Sequence, residues 1–237
     1  MKISAIQKTT LIDYPGRVAA TVFTVGCNFR CPWCYSKELV LPELIAKQPE
    51  ISENEVFEFL QTKQGLLEGV VVCGGEPTLH SDLPEFAKKI KDLGFLVKLD
   101  TNGSNPKMLK DLIDKKLIDY VAMDIKLPKE RYSKLFANNN ITAGDIEESI
   151  RILKNSEIDF EFRTTVAPGV HTPDDLGQMA RWIGQEIPGR LPKYFLQNFR
   201  SGRNIDPVFE AKKPFGPEFF EQALGKIKPF VPNCRVR

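Results

Sequence analysis

Runs rich in β-branched residues recur along the chain, each followed by a segment of helical periodicity. That alternation is the signature of βα units around a parallel sheet, and it constrains the fold more than any other feature. Six strands are expected, at 18–24, 69–73, 95–100, 120–126, 159–166 and 194–199. The helices between them have recognisable starts: Ser52, Ser81 or Asp82, Asn105-Pro106, Asp145, Thr172-Pro173 and Gly216-Pro217, with Gly94 ending the second. Six units are fewer than the eight of a closed barrel. The α/β class then leaves a partial (βα)6 TIM-like barrel or a doubly wound sheet, which pattern alone does not separate. Either fold places ligands at the C-terminal ends of the strands. No repeat or low-complexity linker interrupts the series, so residues 1–237 read as one domain.

Charge narrows the function classes. Lys and Arg total 33 against 31 Asp and Glu, a net charge of +2 that gives no reason to expect a nucleic-acid partner. The longest apolar runs fall far short of the roughly 20 residues that span a bilayer, so no membrane partner is expected. The start "MKISAIQKTTLIDYPGR" has no sustained apolar stretch or small-residue cleavage site, and a cytoplasmic location is the expectation. Thiols stay reduced there, which favours metal or catalytic roles for clustered cysteines. Cys234, far from the others, reads as a free thiol.

Directly after the first strand stands "GCNFRCPWCYS", which places Cys27, Cys31 and Cys34 in the spacing C-x3-C-x2-C. Three ligands match neither a closed structural zinc site nor an even disulfide framework. They suit one side of a cubane iron-sulfur cluster with one iron left open. The plainer alternative is a zinc site completed by Cys73 or a histidine. Trp33 is apolar cover under either reading.

Other strand ends carry chemistry too. In "VVCGGEP", Gly74 and Gly75 allow close backbone approach, while Glu76 before Pro77 is either a hydrogen-bond acceptor for an ammonium or a solvated turn residue. "KLDTNG" offers Asp100, Thr101 and Asn102 as short polar groups for ribose hydroxyls or a cation, although Asn-Gly alone marks a turn. "AMDIK" puts Asp124 and Lys126 on one strand face, where they must pair or line a polar site. In "EFRTTVAPG", Arg163 shares the parity of Thr165 and either reaches a ligand or pairs with Glu161. Gln197 and Asn198 are weaker candidates for adenine or backbone contacts.

Together these segments resemble the radical S-adenosylmethionine superfamily, from the C-x3-C-x2-C loop through the Gly-Gly-Glu-Pro turn. "DTNG" and "D-x-K" resemble its glycyl-radical-enzyme activating branch, nearest the short activating proteins of anaerobic ribonucleoside-triphosphate reductase. The resemblance implies a partial barrel, with a 4Fe-4S cluster on Cys27, Cys31 and Cys34 and S-adenosylmethionine on its open iron. It implies that Glu76 holds the methionine amino group and that Asp100, Thr101, Asp124 and a carbonyl near Ala122 hold a monovalent cation against the ligand carboxylate. Lys126 and Arg163 then meet the ligand as well. A glycyl radical enzyme partner and reduced flavodoxin or ferredoxin as electron donor follow from the same resemblance. Cys73 stands where serine or threonine is commoner in the family and reads as a buried thiol rather than a ligand, and two departures stand out: Tyr35-Ser36 replaces the frequent His-Asn, and the extra cysteine-rich insert of some activating enzymes is lacking. One cluster is therefore expected. The alternatives are a small-molecule enzyme of the 7-carboxy-7-deazaguanine synthase kind and a non-catalytic zinc module. The little sequence after the sixth strand favours an open side that admits a protein loop.

Overall fold

A computed structural model describes residues 1–137 and 140–237. Eight strands follow one another in a single sheet: β1 (Ile3–Thr10), β2 (Ala19–Thr24), β3 (Gly69–Gly74), β4 (Leu96–Thr101), β5 (Tyr120–Asp124), β6 (Asp159–Val166), β7 (Lys193–Asn198) and β8 (Cys234–Val236). β1 is antiparallel to β2, while β2–β3, β3–β4, β6–β7 and β7–β8 are parallel. The six expected strands correspond to β2 through β7, with β5 ending at Asp124 rather than Lys126. β1 and β8 were not expected. Gln7, Lys8 and Thr9 leave β1 without an apolar alternation, and β8 has only three residues.

The helices are α1 (Lys37–Val40), α2 (Pro42–Ile45), α3 (Glu53–Gln61), α4 (Leu83–Asp92), α5 (Pro106–Asp114), α6 (Ala143–Asn155), α7 (Pro173–Arg181) and α8 (Pro217–Ile227). The chain divides into two compact units. One comprises Met1–Asn28, Glu38–Thr101 and Lys107–Val121; the other comprises Phe29–Lys37, Asn102–Pro106 and Ala122–Arg237.

In the first unit, Ala19, Ala20 and Val22 of β2 and Val70, Val71 and Val72 of β3 are all buried. Consecutive burial means both sheet faces are covered, as a parallel sheet requires. α4 buries Leu83, Phe86, Ala87 and Ile90, one stripe at helical spacing, with each large side chain contributing about 1.5–3 kcal/mol. Ser52 starts α3 with a capping box to Glu55. Gly69 is required where β3 begins, because a Cβ there would lie 2.9 Å from the Tyr14 ring.

In the second unit, α6 starts at Thr142, whose hydroxyl accepts from the Asp145 amide. Asp145 is therefore the third residue of a capping box and not the cap that the sequence suggested. Thr172 and Asp175 form the same box at α7. A π turn, Trp182–Glu186, continues α7. Lys154 of α6 is buried, and its ammonium donates to the carbonyls of Ile183 (2.7 Å), Gly184 (3.3 Å) and Ile187. Those carbonyls lie where a helix end leaves acceptors unpaired and negative, so a cation there satisfies both needs.

Candidate functional site

In the first unit, the ends of β2 and β3 are joined through backbone. A Cβ on Gly74 would lie 2.2 Å from the Thr24 carbonyl oxygen, and one on Gly75 would lie 2.0 Å from that of Gly26. Only glycine permits this approach, and Gly74 also has φ +126°. Across the junction the Gly75 amide donates to Thr24 O (3.0 Å) and the Glu76 amide to Gly26 O (2.8 Å). His80 Nε2 donates to Val25 O at 3.0 Å. The Gly-Gly-Glu turn thus fixes the backbone that enters the cysteine loop at Cys27, itself half-buried.

Glu76 is not a solvated turn residue: it is fully buried. Its Oε1 accepts from the Thr78 amide (3.1 Å), the Thr78 hydroxyl (2.5 Å) and the Thr101 hydroxyl (2.7 Å). A carboxylate removed from water costs several kcal/mol unless such bonds replace its hydration. Pro77 is buried as the first residue of the short turn Pro77–Leu79 that Glu76 caps. Along β4, Lys98 and Asp100 share a face and form an ion pair, with the Lys98 side chain 1% exposed and that of Asp100 13%.

In the second unit, Cys31 is buried and Cys34 half-buried. The segment after β7 straps the loop between them. Three consecutive loop carbonyls are bonded: Pro32 O by the Asp206 amide (3.0 Å), Trp33 O by Asn204 Nδ2 (2.9 Å) and Cys34 O by the Ile205 amide (2.9 Å). Arg203, in the left-handed region at φ 53°, precedes the strap. The loop's other end is anchored by Phe29, 1% exposed, against the rings of Tyr132 and Phe136.

Asp124 Oδ1 accepts from Arg163 Nε at 3.0 Å, and its Oδ2 from Lys126 Nζ at 3.2 Å. Burial raises the Asp124 pKa, but the charges of Arg163 and Lys126 outweigh it and leave the carboxyl below its usual range. Glu161, the alternative partner for Arg163, forms a two-point pair with Arg237. The Lys126 backbone is held on both sides: its amide donates to the Tyr132 hydroxyl (2.9 Å), and its carbonyl accepts from His171 Nε2 (2.8 Å). His171 Nδ1 accepts from the Ala167 amide, which fixes the neutral tautomer. Burial lowers the His171 pKa to about 4. The same ring meets Trp33 edge-on at 5.7 Å, touching the cysteine loop.

Asn102 is buried, and its side-chain oxygen accepts from the Ser104 amide in a local turn. Asn198 clasps the Phe215 backbone with both ends of its amide. Among the described residues, no three His, Cys, Asp or Glu side chains are gathered as a metal centre. The expectation that Cys27, Cys31 and Cys34 are ligands rests on their spacing and soft thiolate chemistry. Sequence reading did not find Lys98, Thr78, Tyr132, His171 or Asn204, each defined by burial or a distant partner.

A family model described as the Radical SAM superfamily matches residues 21–183, from β2 to the π turn after α7. The chain belongs to the radical SAM superfamily. Membership implies a 4Fe-4S cluster and S-adenosylmethionine. A Methanocaldococcus jannaschii protein, "Putative glycyl-radical enzyme activating enzyme", is 32% identical over 99% of this chain and 95% of its own length. The 7-carboxy-7-deazaguanine synthase of Thermococcus kodakarensis is 26% identical over 75% of this chain and 73% of its own. Streptococcus suis SuiB bound to S-adenosylmethionine is similar in fold, with a TM-score of 0.63 and 13% identity over 90% of this chain. The radical SAM chain described here spans 48% of SuiB. No helix among its described residues is long and apolar enough to cross a membrane.

Proposed function

We propose that this radical SAM enzyme is an activase that generates a glycyl radical on a partner enzyme, with 1–237 acting as one radical SAM domain. The observation that carries the reading is the end-to-end similarity to the M. jannaschii protein whose name gives that role. Cys27, Cys31 and Cys34 hold a 4Fe-4S cluster, and the strap Asn204 to Asp206 keeps the last two cysteines in place. When bound, the reduced cluster supplies the electron that cleaves S-adenosylmethionine into methionine and a 5'-deoxyadenosyl radical.

The chain's own residues bind and orient. Glu76 accepts hydrogen bonds from the methionine ammonium. Gly74, Gly75 and Pro77 shape the turn that presents it. Lys126 and Arg163, fixed by Asp124, meet the ligand carboxylate as charge-assisted donors. Asp100, Thr101 and Asn102 form the polar edge beside the ligand. A hydrogen atom then leaves the Cα of a partner glycine, giving 5'-deoxyadenosine and a backbone radical. Glycine suits this step because it has no Cβ and tolerates unusual backbone angles. Anaerobic ribonucleotide reductase is the proposed partner in the cytoplasm, and reduced flavodoxin or ferredoxin the proposed electron source.

The test mixes reduced, reconstituted protein with S-adenosylmethionine and candidate partners without oxygen, followed by electron paramagnetic resonance. A glycyl doublet that disappears when the partner glycine is replaced by alanine is the expected outcome. The similarity to a 7-carboxy-7-deazaguanine synthase favours a second reading, turnover of a small molecule. Formation of 5'-deoxyadenosine that depends on a small metabolite, with no radical on any partner, is that reading's result.

A further inference from the structure

We propose that Lys98 is a built-in cation for Asp100, so that this protein takes no sodium or potassium ion at that carboxylate. The inference rests on the reading of Asp100 as a residue beside S-adenosylmethionine, and it departs from the monovalent-cation site that family resemblance implies. Lys98 lies in β4 between Val97 and Leu99, and all three side chains are buried. An ammonium in such surroundings is costly unless an anion accompanies it. Asp100, two residues along on the same face, is that anion. A compact ammonium carries three donors, so one can hold Asp100 while the others serve further acceptors.

Charge arithmetic argues against an added ion. The Asp100 and Lys98 pair is neutral. A monovalent cation at Asp100 would therefore add positive charge to a carboxylate that already has its counter-ion. The third expected ligand, Thr101, directs its hydroxyl proton at Glu76 Oε1 (2.7 Å).

Two measurements test the proposal. Sodium-23 line widths on the whole chain should show no saturable broadening in the parent and saturable broadening, competed by potassium, in Lys98→Ala. Calorimetry on the cluster-loaded protein should give a parental S-adenosylmethionine Kd that agrees within about twofold between potassium and choline buffers. Lys98→Ala should bind at least about tenfold more weakly in choline and recover when potassium or methylammonium is added. Saturable sodium broadening in the parent that Asp100→Asn abolishes would overturn the proposal. So would a tenfold loss of parental affinity in choline, or a Lys98→Ala protein that binds like the parent there. If the parent binds no S-adenosylmethionine in any salt, the activase reading fails, while the sodium measurement on the parent still decides the cation. That measurement also stands if Lys98→Ala does not fold.

Discussion

Glu76 at the end of β3 is wholly buried and accepts from two threonine hydroxyls and an amide, whereas Asp124 at the end of β5 is 31% exposed and pairs with Lys126 and Arg163. Hydroxyl and amide donors fix the position of a carboxylate without themselves cancelling its charge. Cationic donors cancel that charge, so Asp124 acts mainly by holding two positive groups in place. One arrangement suits an ammonium and the other a carboxylate. Both groups occur at the reactive end of S-adenosylmethionine, which is why the difference matters for function.

The largest effect expected from this contrast is on the Asp124 side, through His171. Its neutral imidazole holds the Lys126 carbonyl, with Asp175 and Arg131 as charged neighbours. The folded pKa is about 4 against an ordinary 6.5, so between those values the unfolded chain takes up a proton that the folded chain refuses. Stability is then complete above pH 6.5 and falls as the pH drops toward 4, by about 3 kcal/mol. Denaturant titrations across that range should show the slope, and His171→Gln should flatten it. An equally steep slope in the variant would remove His171 as its cause.

Next comes Glu76→Gln. The amide oxygen can still accept from Thr78 and Thr101, so folding and iron content should stay near parental, while the loss of charge weakens S-adenosylmethionine binding about tenfold or more. An unchanged Kd would mean that the neutral cradle does not serve a cationic ligand group. The smallest effect belongs to the strap: Asn204→Ala removes the donor to Trp33 O and should cost about 1 kcal/mol, a drop of roughly 2–4 °C in Tm, with faster loss of iron. A Tm and iron retention matching the parent would show that the other two strap bonds suffice.

Much of this was legible in the sequence because it is local. β2 through β7 announced themselves as β-branched runs, and Ser52 and Thr172 marked helix starts by their side-chain chemistry. Thr142 escaped because the acid three residues later resembles a cap itself. The strand-end motifs were legible because their residues are adjacent. Lys98 was not, since a lysine in a strand reads as solvated until its burial is known. His171 meets a carbonyl 45 residues away and Asn204 one 171 residues away, and no spacing rule covers such separations. Glu76 was singled out as a candidate from its motif, but its threonine cradle depends on the short turn Pro77–Leu79 meeting the end of β4.

The central claim is that Cys27, Cys31 and Cys34 carry a cluster that cleaves S-adenosylmethionine. Cys234 makes an informative control, because burial raises its thiol pKa to about 12 and keeps it protonated. The direct measurement is 5'-deoxyadenosine formed by anaerobically reconstituted, reduced protein, together with its iron content. The parent should be brown and release 5'-deoxyadenosine and methionine; alanine at any of the three cysteines should abolish both iron retention and product, and Cys73→Ala and Cys234→Ala should retain iron. A colourless parent that binds zinc and forms no 5'-deoxyadenosine, or full iron retention when all three cysteines are alanine, would contradict the account.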